Sequence, residues 1–292
     1  MYTYDDVADL DIHTGDEIEE LYNATRFMQT SLIDYMDNLT RVTAEKERIS
    51  AELNVATQIQ ADLLPRIFPI FSGRKEFEIS ASMDPAKEVG GDFYDFFMID
   101  DDHLGLVIAD VPGKGIPAAM FMMTAKTTIK DYALTNKDTA EIFTIANQRL
   151  CENNEAEMFA TAWIGILNIK TMILQYTNAG HNYPLLLRKN SPSDFLADTH
   201  GLFLAGLDDT EYEESEIRLS SGDRLLLYTD GVTEAHGPNK TIYGDDRLKK
   251  VLNETASEKG EIVLSRILED VNRFAEGVDQ FDDITMTILT IK

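Results

Sequence analysis

A change of period at Pro65 and Pro69 constrains this chain more than any other feature. From Ile18 the apolar residues step by three and four through Leu21, Met28, Leu32, Tyr35, Leu39, Val42, Ile49, Leu53, Ala56 and Leu63. Only Thr25, Lys46 and Gln60 interrupt the seam, and no Gly or Pro falls inside it. A narrow stripe sustained over more than six heptads is too long to be buried by a short helix of its own fold. It predicts a long helix with a partner, most simply a second copy in a parallel coiled coil, with part of it free to dock on the domain C-terminal to it.

Beyond Pro69 short strand-like runs replace the helical period. FEISASM, FYDFFMI and LGLVIADV precede two helices, from Ala118 to about Leu134 and from Thr139 to Cys151. FATAWIGILNI, MILQYTNAG, YPLLLRK and DRLLLYTDG read as further strands. The helical stretches DDRLKKVLNETA and EIVLSRILEDVNRFAE then lead to a last strand, ITMTILTI. Strands come in runs and helices in pairs, which favours an antiparallel α+β layered fold over strict βαβ alternation. The expected division is a helical region over 1–64 and a single domain over 65–292.

Charge narrows the function. With 52 acidic against 26 basic residues the chain carries −26, a field that repels nucleic acid and anionic membrane surfaces and suits cations. The single cysteine, Cys151, excludes an internal disulfide and fits a reducing compartment. No run is long and apolar enough to span a bilayer, so the chain reads as a soluble one.

The acids have positions that matter. If the runs FYDFFMI and LGLVIADV form a hairpin around Asp101, Ile99 faces His103 and Asp92 faces Asp110. Opposed side chains in such a pair lie about 5 Å apart, where two carboxylates repel unless a proton or cation intervenes. Asp230 ends another strand, and Asp282 and Asp283 open the last one. Antiparallel pairing of those strands would bring all these acids to one edge. Oxygen ligands without His or Cys suit Mg²⁺ or Mn²⁺, and Gly90 and Gly91 would leave backbone room beside the ions. Such a pair of ions polarises a phosphoryl group and generates hydroxide from water. No G-x-S-x-G, H-E-x-x-H or C-x-x-C motif offers a competing chemistry.

The segments EVGGDFYDFF, IADVPGKGIPAAMFM, TNAGHNYPLLL, LYTDGVTEA and DDITMTIL, in this order, resemble the SpoIIE/RsbU-type branch of the metal-dependent (type 2C, PPM) serine/threonine protein phosphatases. The likeness extends from residue 55 to 292 and implies an αββα sandwich with two Mn²⁺ or Mg²⁺ ions at one edge. It implies that Asp110 bridges the ions and the Val111 carbonyl completes the first. Asp230 and Asp282 would ligate the second, while Asp92 would hold water and orient the attacking oxygen. Asp283 stands where many eukaryotic relatives have a neutral amide. The arginine with which those relatives grip phosphate has no counterpart before Asp92, and Lys87, near Gly91, is the substitute by proximity. The substrate implied is a phosphoprotein, commonly a small anti-sigma-factor antagonist. His181 in NAGHN resembles a turn residue more than a general acid.

DIHTGDEIEELYNATRFMQ resembles the second half of a HAMP signalling module, with Glu19 in place of the usual glycine. That implies a cytoplasmic output portion, joined to a membrane only through an upstream segment, and a homodimer through the helix. Three other readings compete. Gly113, Gly115 and Ala118 satisfy G-x-G-x-x-A, the dinucleotide fingerprint. GGDF is similar to the hairpin of diguanylate cyclases, although Phe93 stands where those have an acid. A non-catalytic signalling scaffold would keep the fold without the chemistry.

Overall fold

The computed structural model describes residues 12–65 and 74–292, so Pro69 lies outside the described residues. The chain divides into two units, one through Val55 and the other from Ala56 to Lys292. A single helix, α1 (Glu17–Leu63), crosses that boundary. It begins on a carboxylate cap, with Asp16 accepting from the Ile18 amide at 3.0 Å and Glu19 reaching back to the Gly15 amide at 2.8 Å. The seam residues Ile18, Leu21, Met28, Leu32, Tyr35, Leu39, Val42 and Ile49 are each 46–69% exposed. Gln60 is the one residue of α1 that is buried.

The second unit is a four-layer sandwich. One antiparallel sheet holds β2 (Phe93–Met98), β3 (His103–Asp110), β4 (Thr161–Asn168), β5 (Ile173–Ala179) and β8 (Ser215–Arg218), in that spatial order. The other runs β1 (Phe77–Asp84), β10 (Ile284–Ile291), β9 (Arg224–Tyr228), β6 (Leu185–Leu187) and β7 (Asp194–Phe195). Period-two alternation decides which side each residue faces. Tyr94 and Phe96 of β2 meet Trp163, Leu225 and Leu289 between the sheets, whereas Phe93 and Phe97 face the other way, onto the helices α2 (Ile116–Ala133) and α3 (Thr139–Cys151). On the outer face of the second sheet, Leu226, Met286 and Ile288 pack against α5 (Asp245–Glu254) and α6 (Gly260–Phe274). Helix starts obey local chemistry. Pro117 sits in the first turn of α2, and Asp138 caps α3 through the Glu141 amide at 2.8 Å.

The β2–β3 hairpin has the expected register, with Phe93 opposite Ala109 and Met98 opposite Leu104. Its turn is closed by Asp100, which accepts from the Asp102 amide at 2.9 Å. Three details differ from expectation. α2 begins at Ile116, two residues early, because Pro117 favours the first turn. The strand predicted to end at Asp230 stops at Tyr228, and Asp230 opens a short helix, α4 (Asp230–Thr233). β7 and β8 carry no strong apolar pattern and lie outside the predicted strands.

Candidate active site

The hairpin register places Asp92 and Asp110 opposite one another just beyond the Phe93–Ala109 pair. In the other sheet Tyr228 pairs with Met286, which brings Asp230 and the Asp282–Asp283 pair to the same edge. The two sheets are stitched together there by Thr229. Its hydroxyl donates to Asp92 Oδ2 at 2.7 Å and accepts from the Thr285 amide at 3.1 Å.

Burial and mutual repulsion dominate the electrostatics of this edge. Asp92 is 2% exposed. Burial first, and then the Asp110 charge, push its carboxyl well above the usual range, although the Thr285 and Thr229 hydroxyls oppose them. Asp110 is pushed up to about 7, by burial and then by Asp230, with Asp282 and Asp283 adding to it. Asp230 is pushed up to about 6 by burial, Glu234 and Asp282. Asp92 therefore feels Asp110 and Asp283, Asp110 feels Asp230, Asp282 and Asp283, and Asp230 feels Glu234 and Asp282. Asp282 has a cation beside it, Lys114 Nζ at 3.4 Å from Oδ1.

Asp283 has a different task. Its carboxylate accepts from the Ala86 amide at 2.8 Å and the Gly91 amide at 3.0 Å, tying down the loop that leads into β2. This also corrects the expectation for the paired glycines. A Cβ on Gly90 would lie 1.9 Å from Asp283 Oδ2, and one on Gly91 would lie 2.2 Å from the Val111 carbonyl oxygen. A carboxylate and a carbonyl approach the glycines directly, which is the close contact that excludes a side chain at both positions. On the remaining side, Gln60 donates to the Gly90 carbonyl at 2.8 Å and accepts from the Gly90 amide at 3.2 Å. Nearby, the Thr57 hydroxyl donates to the Glu88 carbonyl. The break in the heptad seam at Gln60 is thus the point where α1 holds the loop, and that break was its sequence signal.

Of the other sequence candidates, Lys87 is exposed and pairs with no acid among the described residues. His181 is 5% exposed, with Nδ1 2.9 Å from Thr161 Oγ1, and burial pulls it down to about 4, so it is a neutral structural imidazole at pH 7. Thr229, Gln60 and Lys114 are the site residues that sequence reasoning left out. The dinucleotide reading fails because β3 is antiparallel to both neighbours, whereas the fingerprint needs a parallel strand. The cyclase likeness has no support either, because Phe93 is fully buried in the core under α2.

The donor set (carboxylates and a backbone carbonyl, no thiolate or imidazole) fits hard divalent cations. Burial first, and the charges of neighbouring acids second, raise the proton affinities of Asp92 and Asp110, a burden that such cations would lift. Among the described residues, no three carboxylates, imidazoles or thiols already form a closed ligand cage.

Two sheets of this topology, with paired acids at one edge, have the architecture of PP2C-type phosphatases. The structure is similar to the SiaA PP2C domain of Pseudomonas aeruginosa, with a TM-score of 0.74 at 21% identity over 85% of this chain and 98% of that one. The family description "Stage II sporulation protein E (SpoIIE)" matches residues 100–292, and the chain belongs to that family of serine/threonine phosphatases. Curated relatives include Protein IcfG of Synechocystis sp., 31% identical across 93% of this chain and 46% of its own length. Phosphoserine phosphatase RsbU of Bacillus subtilis is 26% identical across 94% of this chain and 81% of its own. The chain thus spans less than half the length of IcfG.

Proposed function

We propose that the chain hydrolyses phosphoserine or phosphothreonine on a regulatory protein, using two Mn²⁺ or Mg²⁺ ions at the acidic edge. The observation that carries this reading is the group of Asp92, Asp110 and Asp230, all held together with raised proton affinities and no arginine among them. Asp110 and the Val111 carbonyl would hold the first ion, and Asp230 and Asp282 the second, with Asp110 shared. When bound, such ions supply Lewis-acid polarisation of the phosphoryl group and a water of lowered pKa. Asp92, its rotamer fixed by Thr229, orients the incoming water and takes up its proton. Asp283 holds the 86–91 loop in place through main-chain amides and thereby keeps Gly91 against the Val111 carbonyl. An open cleft of about 360 Å³, lined by Asp230, Glu234, Tyr183 and Asp245, lies beside the acidic edge. The names of RsbU and of the B. subtilis relative RsbP, 26% identical over 82% of this chain, both specify phosphoserine. The substrate we favour is a small phosphorylated anti-sigma-factor antagonist.

Regulation through α1 is part of the same proposal. The exposed seam of α1 needs a cover, and a second copy in parallel register supplies one. Among the described residues, no helix is long and apolar enough to cross a membrane, and we place the chain in the cytoplasm, below an upstream membrane-linked segment. Rotation or sliding of the paired helices would reach the loop through Gln60 and Thr57, and from there the Val111 carbonyl.

The test is Mn²⁺-dependent release of phosphate from an aryl phosphate and from a phosphoserine protein. Asp110→Asn and Asp230→Asn should each lower turnover by about a hundred- to a thousandfold, with the far-UV spectrum unchanged. Turnover that survives both substitutions would refute the assignment. Sedimentation should show a dimer that is lost on removal of residues 1–50, together with altered Mn²⁺ dependence.

A further inference from the structure

We propose that Lys114 is the phosphate-gripping residue of this site, its ammonium binding a phosphoryl oxygen of the substrate. This deepens the phosphatase reading and rests on it. Lys114 lies on the turn from β3 to α2, just past Asp110 and Val111. The glycines on either side of it have left-handed backbones, with φ of 103° at Gly113 and 82° at Gly115. A Cβ built on either one meets nothing within 4 Å. These glycines therefore serve the path of the main chain, not close packing, and the path delivers the intervening side chain to the acidic edge.

The side chain is held at its destination. It is 20% exposed, its Nζ lies 3.4 Å from Asp282 Oδ1 and 4.3 Å from the centre of the Phe281 ring, and its charge reaches Asp230. A long, flexible lysine loses rotamer freedom when held in this way, and the two contacts offset that loss. The contact with Asp282 is nevertheless loose. The buried pair Lys126–Asp95 closes to 2.5 Å in the same protein, and charge-assisted bonds of this kind usually sit at about 2.7–2.9 Å. Asp282 attracts the ammonium without capturing it.

Among the described residues, no other cation competes for the role. Lys87 is exposed and pairs with no acid among the described residues, and Lys126 and Lys130 are both engaged by Asp95 beneath α2. Among the described residues, Lys114 is the cation paired to a carboxylate of the site. With divalent ions held by Asp230 and Asp282, the Lys114 ammonium would be left free to meet the phosphate dianion. Lysine serves there as a compact point charge, the manner in which it commonly binds phosphate. The competing explanation is that Lys114 only balances the charge of Asp282 and has no business with substrate.

Lys114→Met and Lys114→Arg separate the two. Three quantities decide: KM and kcat for an aryl phosphate, the inhibition constant of inorganic phosphate, and Mn²⁺ affinity by calorimetry. We expect Lys114→Met to raise both KM and the phosphate inhibition constant by about ten- to a hundredfold. kcat should change less, Lys114→Arg should recover most of the loss, and Mn²⁺ should bind as well as in wild type or more tightly. An unchanged phosphate inhibition constant, with turnover intact, would overturn the proposal. So would a loss of Mn²⁺ affinity in step with the loss of KM, which would make Lys114 a support of the metal ligands. If wild type itself hydrolyses no phosphate monoester with Mn²⁺, the phosphatase reading fails before Lys114 is at issue, and this proposal goes with it.

Discussion

Asp92 and Asp95 stand three residues apart in one segment and are both 2% exposed, yet their surroundings are opposite. Asp95 faces α2, where Lys126 reaches it at 2.5 Å and Lys130 at 3.2 Å, with Lys130 also lying over the Phe97 ring. Asp92 faces other carboxylates and the hydroxyls of Thr229 and Thr285. A buried charge must be neutralised by a partner or by a proton. Under α2 the fold provides the partner. At the edge it withholds one from Asp92, and that deficit is what suits the site to divalent cations.

The contrast predicts opposite signs. Asp95→Asn leaves a buried lysine without its partner and should lower stability by about 3–5 kcal/mol in denaturant unfolding. Asp110→Asn removes a repelled charge and should raise the stability of metal-free protein at pH 8, by on the order of 1–2 kcal/mol. Equal losses in the two variants would break the comparison.

The pH dependence sharpens it. Asp110 and Asp230 titrate near 7 and 6 when folded, against an ordinary value of 3.8. The folded chain therefore holds protons that the unfolded chain has released, so these groups make metal-free stability fall as pH rises from about 4 to 7, and contribute no further slope above that. The slope is on the order of 1.4 kcal/mol per pH unit for each group while it differs between the states. Mn²⁺ should release protons on binding between pH 6 and 7, a release measurable by calorimetry in two buffers of different ionisation enthalpy. Proton-neutral binding in that window would contradict the raised values.

Gly91→Ala forces a Cβ to within 2.2 Å of the Val111 carbonyl oxygen. It should cost about 1–3 kcal/mol and weaken Mn²⁺ binding, whereas Gly113→Ala should leave the contacts of that carbonyl alone. The smallest effect belongs to Lys130→Met. Its side chain is 35% exposed against 9% for Lys126, so its loss should cost no more than about 1 kcal/mol, well below that of Lys126→Met.

Sequence made the local parts of this architecture legible. The acidic turn after Ile99 determined the hairpin register, and the register placed Asp92 against Asp110. It did not reveal what the acids face. Asp95 sits inside the apolar run FYDFF and Lys126 inside MMTAKTTI, a pair of charges that alternation alone flags without joining. The role of Asp283 was not legible because its partners are main-chain amides at Ala86 and Gly91, and amides leave no mark in a sequence. β8 was invisible because SEIR is half exposed and lies in an acidic stretch. Gln60 read as a flaw in a heptad seam, when its amide bonds both the carbonyl and the amide of Gly90.

The strand β10 lies between β1 and β9, and its register joins Asp84 to Ile284. Pairings of such sequence separation form late in folding, because their loop-closure entropy precedes the contacts that offset it. Asp282 and Asp283 arrive with that strand. A chain lacking that strand can build the β2–β3 hairpin but not the acidic edge, which is complete only when β10 has closed the second sheet between β1 and β9.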